Sequence, residues 1–244
     1  MNNEPNFKTR ERLVKDFNNK HFSQLLKKIS ELQKNYSESL FLLSLLGSIN
    51  YELKKYEKAI NNFESIIKID SHFSDAYYNL GIIFKNISQI DKSIDNFEKC
   101  IKINPKKFEA YNNLGNVYRD KQQIDTAFNL YIESLEINPN YLIALQNLGV
   151  CLQDYEFIKY SIVSEKHIIN LLEKNKILRP VDIVNNLIKF IYLNKEYELI
   201  ISNTIKLKNG VSLDKLIDEF LKIKILMQLI KITPITNLKI EKKI

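Results

Sequence analysis

Glycine and proline are scarce, with five of each in 244 residues. That is too few for a loop-rich enzyme or a β-sandwich, whose turns draw heavily on both. There are only two cysteines, Cys100 and Cys151, which do not make a disulfide framework. A reducing, cytoplasmic setting is the expectation. No apolar run approaches the roughly 18 residues that a membrane span needs. The first residues, MNNEPNFKTRERLVKDF, contain no apolar core of a secretory signal, so none is expected.

Histidine is also rare. His21, His72 and His167 are far apart, and no pair has a metal-site spacing. A phosphate-cradling loop needs clustered glycines, and there are none, so no nucleotide, cofactor or metal is expected. Carboxylates are numerous but scattered, without the pairing that acid–base chemistry requires. The chain is therefore expected to be non-catalytic by itself.

What remains is a helix-forming, core-forming composition. Apolar residues make up 45% and charged residues 27% of the chain. The net charge of +7 is uneven. Residues 1–39 carry eight basic and five acidic groups, and residues 206–244 carry nine and four. Residues 40–141 carry twelve and thirteen, and residues 142–205 carry seven of each. A nucleic-acid groove would place a basic stripe along the body of the chain. The body has none, so no nucleic-acid partner is expected.

The few glycines are ordered. Gly47, Gly81, Gly115 and Gly149 are spaced by 34 residues, and each follows a leucine: Leu46, Leu80, Leu114 and Leu148. A fixed period of this length marks a repeat array. The repeats are set at 40–73, 74–107 and 108–141, with a partial fourth from 142. Tyr111, Leu114 and Tyr118 fall on one face of a helix, as do Tyr77, Leu80 and Phe84. A second helix follows a short polar turn. In it Ala59, Ser93 and Ala127 align, followed by Phe63, Phe97 and Tyr131. Pro105 and Pro139, aligned with Ser71, end these second helices. Glycine in a helix interior costs about 1 kcal/mol relative to alanine. Close packing of the two helices is the expected compensation.

This pattern resembles the tetratricopeptide repeat (TPR) family. Its aromatic, Leu-Gly, aromatic, small, aromatic and proline positions are met by Tyr111, Leu114, Gly115, Tyr118, Ala127, Tyr131 and Pro139. The first repeat is looser, with Leu43, Asn50 and Ser71 at three of these places. The family's glycine between the helices is replaced by Lys54, Ser88 and Gln122. The resemblance implies an all-α fold, a right-handed α-solenoid of antiparallel helix pairs, or TPR superhelix, with degenerate terminal helices. Residues 1–39 read as a degenerate helix pair and 40–153 as the array. Residues 154–244 read as a helical cap or connector, with Pro180 opening a helix, Ser212 capping another, Pro234 ending it and Gly210 in a turn.

In such an array the first helices line a concave groove that binds a protein or an extended peptide. Asn79, Asn113 and Asn147 recur just before each Leu-Gly. Asparagine both donates and accepts, so a ladder of it holds a peptide backbone whatever its side chains. The ladder is similar to that of O-linked N-acetylglucosamine transferases. Tyr78, Asn112 and Asn116 are further groove candidates. Lys85 and Arg119 align and suit a carboxylate. The array and connector also resemble those of bacterial TPR-containing transferases of glycosyl-, sulfo- and methyltransferase types. That leaves two readings open: a stand-alone scaffold, or the recruiting part of a transferase whose catalytic domain lies outside this chain. Self-association through the terminal helices is a third.

Overall fold

A computed structural model describes residues 4–157 and 161–174. Beyond these it describes 186–187, 189–191, 193–197, 223, 225 and 228. Pro180, Gly210, Ser212 and Pro234 lie outside the described residues. All the regular elements among the described residues are α-helices: α1 (Phe7–Asn18), α2 (Phe22–Leu32), α3 (Leu40–Glu52), α4 (Tyr56–Ile69), α5 (Ser74–Asn86), α6 (Ile90–Ile103), α7 (Phe108–Asp120), α8 (Ile124–Ile137), α9 (Leu142–Cys151) and α10 (Ile162–Glu173). None of them is long and apolar enough to cross a membrane. The chain divides into two units, residues 1–117 and 118–244, and the division falls within α7.

In the first unit, helices pack in chain order: α1 on α2, α2 on α3, α3 on α4, α4 on α5 and α5 on α6. This is consecutive helix-pair stacking. One buried cluster gathers Leu13, Leu25, Ile29, Leu42, Leu45 and Ile49 from α1, α2 and α3. The next gathers Leu43, Ala59, Phe63, Ile66, Ala76, Leu80, Ile83 and Phe84 from α3, α4 and α5. Burying each large side chain contributes about 1.5–3 kcal/mol. α3 serves both clusters from opposite faces, which is why LFLLSLLGSI is apolar nearly all round.

The repeat glycines give the hairpins their closeness. A methyl group on Gly47 would stand 2.6 Å from the Phe63 ring, and one on Gly81 would stand 2.7 Å from the Phe97 ring. The aromatic ring of the second helix therefore lies directly over the glycine of the first, rather than filling space beside it. Ser93, the small residue expected opposite, donates its hydroxyl to the Gly81 carbonyl at 2.8 Å. In the first repeat, Asn50 stands where the next has Phe84. It is buried and donates to the side chain of Asn62 at 3.0 Å, so a polar pair replaces an aromatic contact.

The turns inside the hairpins keep the glycine conformation without the glycine. Lys20, Lys54, Ser88 and Gln122 all have positive φ, between 55° and 60°. Each sits just past a first helix, and the backbone bonds are those of a Schellman motif. Ser88 N–H reaches the Lys85 carbonyl and Gln89 N–H reaches Phe84. The same pair of bonds recurs from Lys20 and His21, from Lys54 and Lys55, and from Gln122 and Gln123. The left-handed conformation survives here at a cost of about 1–2 kcal/mol per non-glycine residue. Lys20 extends the 34-residue series backwards and places α1–α2 in the same register. The other turn recurs too: Asp70, Asn104 and Asn138 cap α4, α6 and α8, and each side chain accepts the N–H two residues on.

In the second unit α8 packs on α9, and α10 packs on both. Their shared cluster holds Phe128, Tyr131, Leu135, Leu145, Leu148, Leu171 and Phe190, among others. His167 is buried, with Nε2 2.5 Å from Glu136 Oε1. Glu165 is also buried and accepts the Tyr197 hydroxyl at 2.7 Å.

Candidate functional site

The first helices of the first unit carry a series of side chains at matching positions. Asn79 on α5 and Asn113 on α7 are both half-buried, and each has its amide engaged. Asn79 Nδ2 donates to the carbonyl of Asp75, one turn earlier, at 2.8 Å. Asn113 Nδ2 donates to the Tyr78 hydroxyl at 3.0 Å. The two asparagines therefore present their side-chain oxygens more than their N–H groups.

Tyr78 is held on several sides. Its ring meets Phe97 edge-on, with centroids 6.0 Å apart. The Lys107 ammonium stands 5.0 Å from the ring centroid and pairs with Asp75 at 2.9 Å. Burial works to lower the Lys107 pKa, but the bond to Asp75 more than offsets it, and the ammonium is held above its ordinary range. Tyr78 and Asn113 thus form a fixed bridge between α5 and α7.

The other expected residues divide. Asn116 and Lys85 are half-buried on the first unit's helices. Asn112 is 1% exposed, so it belongs to the packing and offers no surface to a ligand. It lies one residue before Asn113 on α7, turned about 100° away from it. Arg119 and Asn147 are half-buried in the second unit. Arg119 is close enough to Tyr131 and Cys151 for its charge to favour their ionised forms. Burial overrides it: the Tyr131 phenol is pushed up, and the Cys151 thiol is pushed up to about 12. Cys100 is buried as well, and its thiol is pushed up to about 11. His21 caps α2, His72 is exposed and His167 is buried.

A cavity of about 200 Å³ opens on the first-helix face. Its floor is Phe63 and Ile83, both 1% exposed. Ser48, Tyr51 and Glu52 of α3 form one side, and Asn79 and Ile82 of α5 the other. Phe17 of α1 closes the end. Of these, sequence reasoning named only Asn79 as a binding residue, and Phe63 for packing alone. The missed signal was the period itself. Ser48 and Ile82 stand 34 residues apart in the Asn116 series, and Phe17 and Tyr51 precede Lys85 and Arg119 in theirs.

Three comparisons bear on identity. Residues 47–88, 74–107 and 96–129 each match a family model of the tetratricopeptide or TPR repeat. No curated protein sequence matches the chain. Among solved structures, the chain is similar to the crystal structure of MamA, at 23% identity and a TM-score of 0.55, covering 66% of this chain and 93% of that one. It is similar to MamA from Desulfovibrio magneticus RS-1 at 18% identity and a TM-score of 0.55, covering 68% and 93%. It is also similar to YrrB, described as a TPR protein with an unusual peptide-binding site, at 16% identity and a TM-score of 0.50, covering 66% and 81%. At these identities the likeness is one of fold. Three overlapping model matches, a 34-residue period and the ring-covered Gly47 and Gly81 mark residues 47–129 as a run of tetratricopeptide repeats.

Proposed function

We propose that the chain is a scaffold that binds an extended peptide or a protein segment along the first-helix face, and that it acts by binding rather than by catalysis. The observation that carries this is the pair Asn79 and Asn113. Both sit at one helical position on successive first helices, half-buried, with a side-chain N–H already spent within the protein. Their side-chain oxygens are suited to accept backbone N–H groups from an added strand of peptide. Asn147 holds the same repeat position in the second unit, and Asn116, Lys85 and Arg119 are further contacts in this reading.

The charge distribution favours a protein partner over a nucleic acid, since the array lacks a basic excess. Two buried free thiols favour a reducing, cytoplasmic location. In this reading residues 40–153 are the array and the flanking segments are its caps. The test is titration of a selected peptide with the wild type and with Asn79→Ala/Asn113→Ala. A loss of tenfold or more in affinity is expected, on the order of 1 kcal/mol per bond. Equal affinity would reject the asparagines as peptide contacts.

A further inference from the structure

We propose that the cavity between α3 and α5 receives a lysine or arginine side chain of the bound peptide; this rests on the reading of the first-helix face as the binding face. The cavity is about 200 Å³, room for about seven waters and so for one long side chain. Its floor of Phe63 and Ile83 and its wall of Ile82 are apolar and suit a methylene stem. Phe17 and Tyr51 add aromatic faces on which a cation is favoured.

Ser48 and Asn79 both offer an acceptor oxygen to a ligand. Ser48 donates its hydroxyl to the Ser44 carbonyl at 2.9 Å, which leaves its oxygen as an acceptor. Asn79 donates to the Asp75 carbonyl at 2.8 Å, which leaves Oδ1. Tyr51 takes the Asn86 amide at 2.7 Å, which pins its ring at the cavity wall. Ser48 thus offers the cavity only an acceptor, while Asn79 keeps Oδ1 beside one N–H and the Tyr51 hydroxyl keeps its proton. One charge lines the cavity, the Glu52 carboxylate. It is exposed and has no ion pair among the described residues. Asp75, the nearby acid of α5, is by contrast neutralised by Lys107. A negative mouth over an apolar floor fits an ammonium or guanidinium on a flexible stem, and it disfavours a carboxylate.

The test uses the full chain and a displayed library of random peptides. Selected peptides are titrated with the wild type, Glu52→Gln, Glu52→Lys and, as a marker of the face away from the cavity, Asn113→Ala. The expected result is enrichment of lysine or arginine at one peptide position, with binding about two- to fivefold weaker in Glu52→Gln and a flatter salt dependence. Replacing that peptide residue by alanine should abolish the difference between wild type and Glu52→Gln, as a double-mutant cycle requires. Peptides that lose affinity in Asn113→Ala but carry no basic residue coupled to Glu52 would overturn the cavity assignment and leave the binding face standing. If no peptide is selected, or none responds to any substitution on the face, both proposals fail together.

Discussion

Asn113 of α7 donates to the hydroxyl of Tyr78 of α5 at 3.0 Å, across neighbouring first helices and 35 residues apart. Asn86 of α5 reaches Tyr51 of α3 at 2.7 Å, also across 35 residues. The two bridges stand at different places in the repeat, and polar bonds cross the first-helix face in front of the apolar contacts behind it. Tyr78→Phe keeps the ring on Phe97 and removes only the hydroxyl. We expect a stability loss below about 1 kcal/mol, because a partly exposed bond regains water when broken. A urea titration with unchanged m-value would show this. A loss of several kcal/mol would mean that the bridge holds the stack together.

A methyl group at Gly81 has nowhere to go. It would meet the Phe97 ring at 2.7 Å, and that ring is fully buried. Alanine gains about 1 kcal/mol of helix propensity and loses about 1–3 kcal/mol to overpacking. Gly81→Ala is therefore expected to be neutral to destabilising by up to about 2 kcal/mol. Gly81→Ala combined with Phe97→Leu should cost less than the sum of the two single changes, because the smaller residue makes room. Strict additivity by thermal or urea unfolding would remove the ring–glycine contact as the reason for the 34-residue series.

The four left-handed turn residues are strained where glycine would not be. Ser88 and Lys54, at φ of 60° and 55°, are the simplest to change. Ser88→Gly should raise stability by up to about 1 kcal/mol, net of the extra freedom that glycine gives the unfolded chain. Ser88→Val should lower it. A urea midpoint that falls for Ser88→Gly would contradict the turn geometry.

Both thiols should be silent in the folded protein. Burial pushes Cys100 up to about 11 and Cys151 up to about 12, so neither forms thiolate near neutral pH. A thiol reagent at neutral pH should label both slowly, at the rate of opening, and promptly in denaturant. Prompt labelling of native protein would place a cysteine at the surface.

The helix pairs were legible because the first two repeats write their packing into residue size: glycine under an aromatic ring, leucine beside it, a small residue opposite. α3, α5 and α7 start at Leu40, Ser74 and Phe108, 34 residues apart. The seat of the glycine was half legible. Small size announced a close approach, but Phe63 and Phe97 as the groups that fill it required coordinates. The turns were misleading at the level of residue type, since Lys54, Ser88 and Gln122 hold a conformation usually given to glycine. Only their common spacing, extended to Lys20, carried the signal.

The candidate site was less legible, for a physical reason. Adjacent residues on a helix point about 100° apart, so a polar residue one step away faces a different neighbour. Asn112 and Asn113 differ in this way, the first buried and the second bridging to Tyr78. Glu52 and Ser48 escaped notice because the first repeat departs from its neighbours in side-chain type while keeping their positions.

The central claim is that ligands lie along the first helices, and hydrogen exchange with and without a bound peptide tests it most directly. Protection gained at residues 40–52, 74–86 and 108–120, with 56–69 and 90–103 unchanged, is the predicted result. Protection confined to the second helices, 56–69 and 90–103, would contradict the account.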